Sequence, residues 1–102
     1  MITRRKSIKI AGVNFKIVQK KRVDLDGDWG EADIDKREIY IARETTDEEF
    51  NATLKHEILH CLLRMSGLFY SILKEDYEAE EGMVRMVENL YLPIIEQIDE
   101  KI

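Results

Sequence analysis

Residues 53–60, Thr53-Leu54-Lys55-His56-Glu57-Ile58-Leu59-His60, set two histidines four positions apart inside an apolar helical pattern. Four residues slightly exceed one turn of α-helix, so both imidazoles project from one face and can each offer a nitrogen to a single metal ion. Glu57 turns about 100° from His56, too far round to join that clamp easily but able to reach a water held in an open coordination position. Such an arrangement suits metal-assisted peptide hydrolysis. The ion lowers the pKa of the water, Glu57 takes its proton, hydroxide attacks a polarised carbonyl, and the carboxyl returns the proton to the leaving amine. The chain has two histidines in all, and a random pair would sit four apart with this glutamate between them in roughly 0.3% of arrangements. Two imidazoles among Leu54, Leu59, Leu62 and Leu63 would be costly without partners, and a metal supplies one.

The pattern around this segment predicts a long, central helix over about 47–66. Thr45-Thr46-Asp47-Glu48-Glu49 offers overlapping capping boxes, Thr45 with Glu48 or Thr46 with Glu49. Phe50, Leu54, Ile58, Cys61, Leu62 and Met65 form one apolar stripe, and Leu59 and Leu63 widen it. Gly67 suits the C-terminal cap, and residues 68–74 form an apolar connection. A second helix is expected over about 75–100, packing Tyr77, Val84, Val87, Tyr91, Ile94 and Ile98 inward, with Pro93 kinking or interrupting it.

Residues 7–43 read as strands. Ile8-Lys9-Ile10 and Phe15 to Lys20 alternate apolar and basic side chains around the turn formers Ala11-Gly12-Val13-Asn14, which predicts a hairpin. Gly30 to Ile34 and Glu38 to Ala42 can pair through a turn at Asp35-Lys36-Arg37. The expected fold class is therefore α+β: one domain over residues 1–102, with a small, mostly antiparallel sheet packed on two main helices.

Composition narrows the setting. The 102 residues are 44% hydrophobic and 36% charged, with one Cys, one Pro and five Gly, which excludes collagen-like and disordered classes. No apolar run approaches the roughly 18 to 20 residues that cross a bilayer, and Cys61 has no intrachain partner for a disulfide, so a cytoplasmic location without membrane contact is expected. The net charge is −5, yet residues 1–23 hold eight Lys or Arg and no acid. That stretch reads first as a solvated strand face. It lacks the aromatic interleaving of a nucleic-acid module, which argues against nucleic acid as a partner.

A catalytic zinc site usually has a third protein ligand, and no further His exists. The metzincin continuation fails, because Leu63 and Ser66 stand where Gly and His are required. The ligand should be a carboxylate from the second helix, which offers Glu78, Glu80 and Glu81. Glu78 projects to the polar side, while Glu80 and Glu81 lie in or beside the apolar stripe, with Glu81 favoured and Glu80 close behind.

Gly30-Glu31-Ala32-Asp33, Glu38-Ile39-Tyr40-Ile41, the HExxH segment and Glu80-Glu81-Gly82-Met83-Val84-Arg85 together resemble the small phage- and prophage-encoded zincin-like metallopeptidases. These are similar to the minimal metallopeptidase domain of the ImmA/IrrE family. The resemblance covers roughly residues 8 to 95. It implies Zn2+ bound by His56, His60 and Glu81, Glu57 as catalytic base, and a protein or peptide substrate. Better-known members cleave repressor-type regulators and often carry a DNA-binding or sensor domain, and neither is expected within these residues. The strand around Glu31 to Ile34 also offers a free edge on which a substrate could add as an extra strand.

The rival expectation is a non-catalytic adaptor in which the same metal staples two helices and the basic N-terminal hairpin docks a partner. Coordination separates the two, since a structural zinc is usually closed by four protein ligands and a catalytic one keeps an open position.

Overall fold

A computed structural model describes residues 3–100. Residues 1–2 and 101–102 of the expected single domain lie outside the described residues. The architecture is α+β, a four-stranded sheet with helices. β1 (Ser7–Ile10) and β2 (Val13–Lys20) form the first hairpin, closed by the two-residue loop Ala11-Gly12. Both loop residues have positive φ, 49° and 81°, as the right-handed strand twist demands of so short a connection. β3 (Gly30–Asp33) and β4 (Glu38–Ala42) form the second hairpin.

The sheet order is β1-β2-β4-β3. The two hairpins meet through β2 and β4, which run parallel, with Ile17 opposite Ile39 and Gln19 opposite Ile41. The sheet is therefore mixed. Alternation marks each hairpin but carries no information about which hairpin edges join. That join places β4 in the interior, and Ile39, Tyr40, Ile41 and Ala42 are all buried. One sheet face carries Ile10, Phe15, Ile17, Ile39 and Ile41 against Phe50, Leu54 and Cys61 of the long helix. The other face holds a smaller cluster of Leu25, Tyr40 and Ala42 beneath the 3-10 turn Arg22–Leu25.

Helix α1 spans Asp47–Met65. Its start uses the Thr46 and Glu49 capping box: the Glu49 N–H donates to the Thr46 hydroxyl at 3.1 Å, and the Thr46 N–H donates to the Glu49 carboxylate at 2.8 Å. Arg4 ties the hairpin to this end of α1, donating to Asp47 at 3.0 Å, to Gln19 at 2.8 Å and to the Thr45 carbonyl. Part of the basic N-terminal charge is thus structural. Gly67, at φ 82°, closes the helix where a left-handed residue is needed. The stripe differs from expectation at Leu62, which is exposed, while Leu63 is buried in its place.

After the short helix α2 (Leu68–Ser71), α3 runs over Tyr77–Met86, a π-helical turn over Val87–Tyr91, and α4 over Leu92–Glu100. The start falls two residues later than expected. Lys74 and Glu75 are left-handed, and the Asp76 carboxylate caps the helix by accepting from the Glu78 and Ala79 N–H groups. No break occurs at Pro93. The wider π turn immediately precedes it, with Leu92 N–H donating to Val87 O, and relieves the clash of the proline ring with the carbonyl four residues back.

Tyr77, Tyr91, Ile94 and Ile98, expected to face inward with Val84, are instead exposed. Tyr77 is the first residue of α3. For the other three, the spacing of Val84, Val87, Tyr91, Ile94 and Ile98 assumes an uninterrupted α-helix. A π turn inserts one residue and rotates the helix beyond it by about 100°. Leu92 and Ile95, half-buried, take the inner positions. Among the described residues, no helix is long and apolar enough to cross a membrane.

Cys61 is fully buried between α1 and the sheet, and burial, reinforced by the nearby Glu57 charge, pushes its thiol pKa up to about 12. The thiolate is the reactive form, so native protein at pH 8 should react with a disulfide reagent only through opening of the structure. One thiol should titrate rapidly on addition of denaturant, and fast labelling of the native protein would contradict this packing.

Candidate metal centre

α1 presents His56 and His60 one turn apart, and α3 crosses beside them. Three carboxylates from the α3 side meet the two rings. His60 Nδ1 lies 2.6 Å from Glu80 Oε1, and His56 Nδ1 lies 2.8 Å from Glu88 Oε1. An ionised carboxylate accepts and cannot donate, so each Nδ1 carries the proton and, in the neutral ring, each Nε2 presents a lone pair. Those Nε2 atoms stand 3.2 Å apart. Glu81 completes the cluster, with Oε1 3.2 Å from His56 Nε2 and Oε2 2.9 Å from His60 Nε2.

These three residues offer donor atoms within 4.8 Å of one another and form a group that could hold a metal ion. The donor set fits one. Two imidazole lone pairs and a carboxylate facing each other repel unless a cation or proton lies among them, while both Nδ1 atoms already have partners. Ligands about 2.0–2.2 Å from a tetrahedral ion lie roughly 3.3 Å from one another, close to the separations observed. Among the described residues the group has no fourth protein donor.

Arginines reach two of the three carboxylates. Glu80, only 2% exposed, accepts from Arg64 at 3.1 and 3.3 Å as well as from His60. Burial works against the Arg64 charge, but the hydrogen bond and charge of Glu80 outweigh it and hold the guanidinium pKa above its ordinary value. Arg64 also lies over the rings of Phe69 and Tyr77, at 4.3 and 5.4 Å. Arg85 approaches Glu81 Oε1 at 3.4 Å.

Glu57 is buried, 8% exposed, on the sheet side of α1. Burial pushes its carboxyl pKa up, against the opposing pull of His60 and His56. Gly30 of β3 passes close to it. A Cβ at that position would lie 2.6 Å from Thr53 Cγ2 and 3.1 Å from Glu57 Oε2, so this strand approaches α1 where only glycine fits without displacement. β3 is an edge strand of the sheet. It forms one wall of a cleft of about 1010 Å³ that contains His56, His60, Glu57, Glu81 and Trp29. Trp29 is cleft wall rather than core, with the Arg22 guanidinium 3.7 Å over its ring.

Of the three glutamates weighed for the third ligand position, Glu81 faces the two Nε2 atoms, Glu80 holds an imidazole from behind, and Glu78 is exposed. Glu88 escaped the sequence reading. It lies seven residues after Glu81, two helical turns along the same face, and that spacing was its one signal. Comparison with protein-family models, curated proteins and solved structures finds no match to this chain.

A divalent cation at a hundredfold over its dissociation constant should stabilise the fold by about 2.7 kcal/mol. In a chain of this size that is a rise in melting temperature of roughly 10 °C or more, reversed by chelator. Glu81→Ala should abolish most of the shift. Glu80→Gln and Glu88→Gln should weaken cation affinity by about 10- to 100-fold while leaving all three donors in place, measurable by competition with a chromophoric chelator.

Proposed function

We propose that this protein is a zinc-dependent metallopeptidase, a minimal zincin-like domain of the kind found in the ImmA/IrrE family and in phage. The reading rests chiefly on one observation. Two imidazole Nε2 atoms and the Glu81 carboxylate converge in a cleft whose other wall is an edge strand, with the buried carboxyl of Glu57 beside them. His56, His60 and Glu81 would hold the ion. When bound, zinc supplies Lewis acidity, lowering the pKa of a coordinated water and polarising the scissile carbonyl.

The residues of the chain supply the rest. Glu57 accepts the proton of the attacking water as its oxygen bonds to the carbonyl carbon, then delivers that proton to the amine nitrogen as the C–N bond breaks. The raised pKa brings this carboxyl closer to the operating pH, which favours transfer in both directions. Glu80 and Glu88 fix ring orientation and tautomer. The outer edge of β3 offers backbone groups on which an extended protein or peptide substrate can pair, presenting a carbonyl to the cleft. The absence of a fourth protein donor among the described residues favours this reading over a metal staple.

Glu57→Gln should keep its cation and lose about 10²- to 10⁴-fold in turnover of a mixed peptide pool. In the unmodified enzyme, kcat/KM should fall as pH drops through the Glu57 pKa, because the protonated carboxyl cannot accept a proton. A native protein that takes up no divalent cation would overturn the proposal.

A further inference from the structure

The C-terminal helix carries a feature that hydrolysis does not use. Leu90, Tyr91, Ile94 and Ile98 are 62%, 55%, 56% and 55% exposed. Three and four residues apart along one helix, they are surface neighbours and form a continuous apolar face. With Met86, also exposed, they present on the order of 500 Å² of apolar surface, near the top of what monomers leave bare and over half the about 800 Å² each partner gives a stable interface. α4 continues directly from the π turn and makes few close contacts with any other element among the described residues, so the rest of the fold does not cover this face.

We propose that this face is the interface of a homodimer, covered by the same helix of a second copy running antiparallel. The pattern is self-complementary. Leu90, Ile94 and Ile98 are evenly spaced at four residues, so a two-fold axis at Ile94 sets Leu90 of each copy against Ile98 of the other and Ile94 against itself. An antiparallel pair also sets each helix dipole against the opposite end of its partner, which a parallel pair does not. Residues 86–100 hold four acids and no base, which disfavours an anionic lipid surface as the occupant. Association through an apolar seam should not weaken as ionic strength rises. This inference does not depend on the proposed activity.

Sedimentation equilibrium over a concentration series up to the millimolar range should give a mass approaching twice the 12.0 kDa of the chain. Ile94→Glu and Ile98→Glu lie outside the metal cluster, so circular dichroism and cation affinity should be unchanged. Each should raise the dimer dissociation constant by at least about thirtyfold, the cost of a buried interface anchor. Ile94→Cys should form a disulfide-linked dimer under mild oxidation, while Ile98→Cys alone should not, and the buried Cys61 contributes to neither. A 12.0 kDa mass throughout the series would overturn the proposal, as would a dimer indifferent to both charge substitutions. Equal cross-linking at positions 94 and 98 would overturn the antiparallel arrangement. Loss of association with rising salt would overturn the apolar seam and point to a basic partner.

Discussion

The candidate metal centre depends on how α1 and the helical segment after Asp76 satisfy two histidines from behind. Glu80 and Glu88 take the Nδ1 protons, at 2.6 and 2.8 Å, and so decide what the front of each ring offers. With the Nδ1 atoms engaged, the Nε2 lone pairs and Glu81 have no donor among themselves, and their convergence becomes favourable when positive charge enters. The helix contact is therefore incomplete as a purely protein interface. A cation would contribute to folding and to chemistry through the same three atoms, which couples occupancy to stability.

The sheet contributes by proximity. Parallel pairing of β2 with β4 buries β4 on both faces and leaves β3 at the edge, where it can lie against α1 at Thr53 and Glu57. Gly30 permits that approach. It also removes water from around Glu57, and the loss of solvation raises the carboxyl pKa more than the two imidazoles lower it. One backbone position thus links strand placement, wall geometry and the proton affinity of the candidate base. Four residues beyond Glu57, Cys61 is sealed into the core.

Local signals in the sequence located most elements. The Thr46 and Glu49 box, the Ala11-Gly12 turn and the i, i+4 histidines are all short-range patterns with a mechanical meaning, and each appears in the structure as such. The parallel β2 and β4 pairing joins segments with β3 between them, and no local pattern encodes it. Glu80 and Glu81 were both legible as cluster members, but adjacent helical residues differ by about 100° in direction, and only the packed position of α3 shows which one faces the Nε2 atoms. Glu88 acts through a ring 32 positions away, a relation that exists only once the helices have packed.

The π turn at Val87–Tyr91 explains why apolar periodicity misled at the C-terminus and why the misreading is informative. Up to the first half of the turn, the helix commits one face to the centre, with Val84 in the core and Glu80, Glu81 and Glu88 against the histidines. An uninterrupted helix would continue that phase and aim Tyr91, Ile94 and Ile98 along the same direction. One inserted residue turns them outward and lets Leu92 and Ile95 take the inner side. A second face then costs the first nothing in alignment: Glu80, Glu81 and Glu88 lie before the turn or in its first half, and Leu90, Tyr91, Ile94 and Ile98 lie in its second half or beyond it. The two faces therefore share one continuous helix without sharing a single side chain.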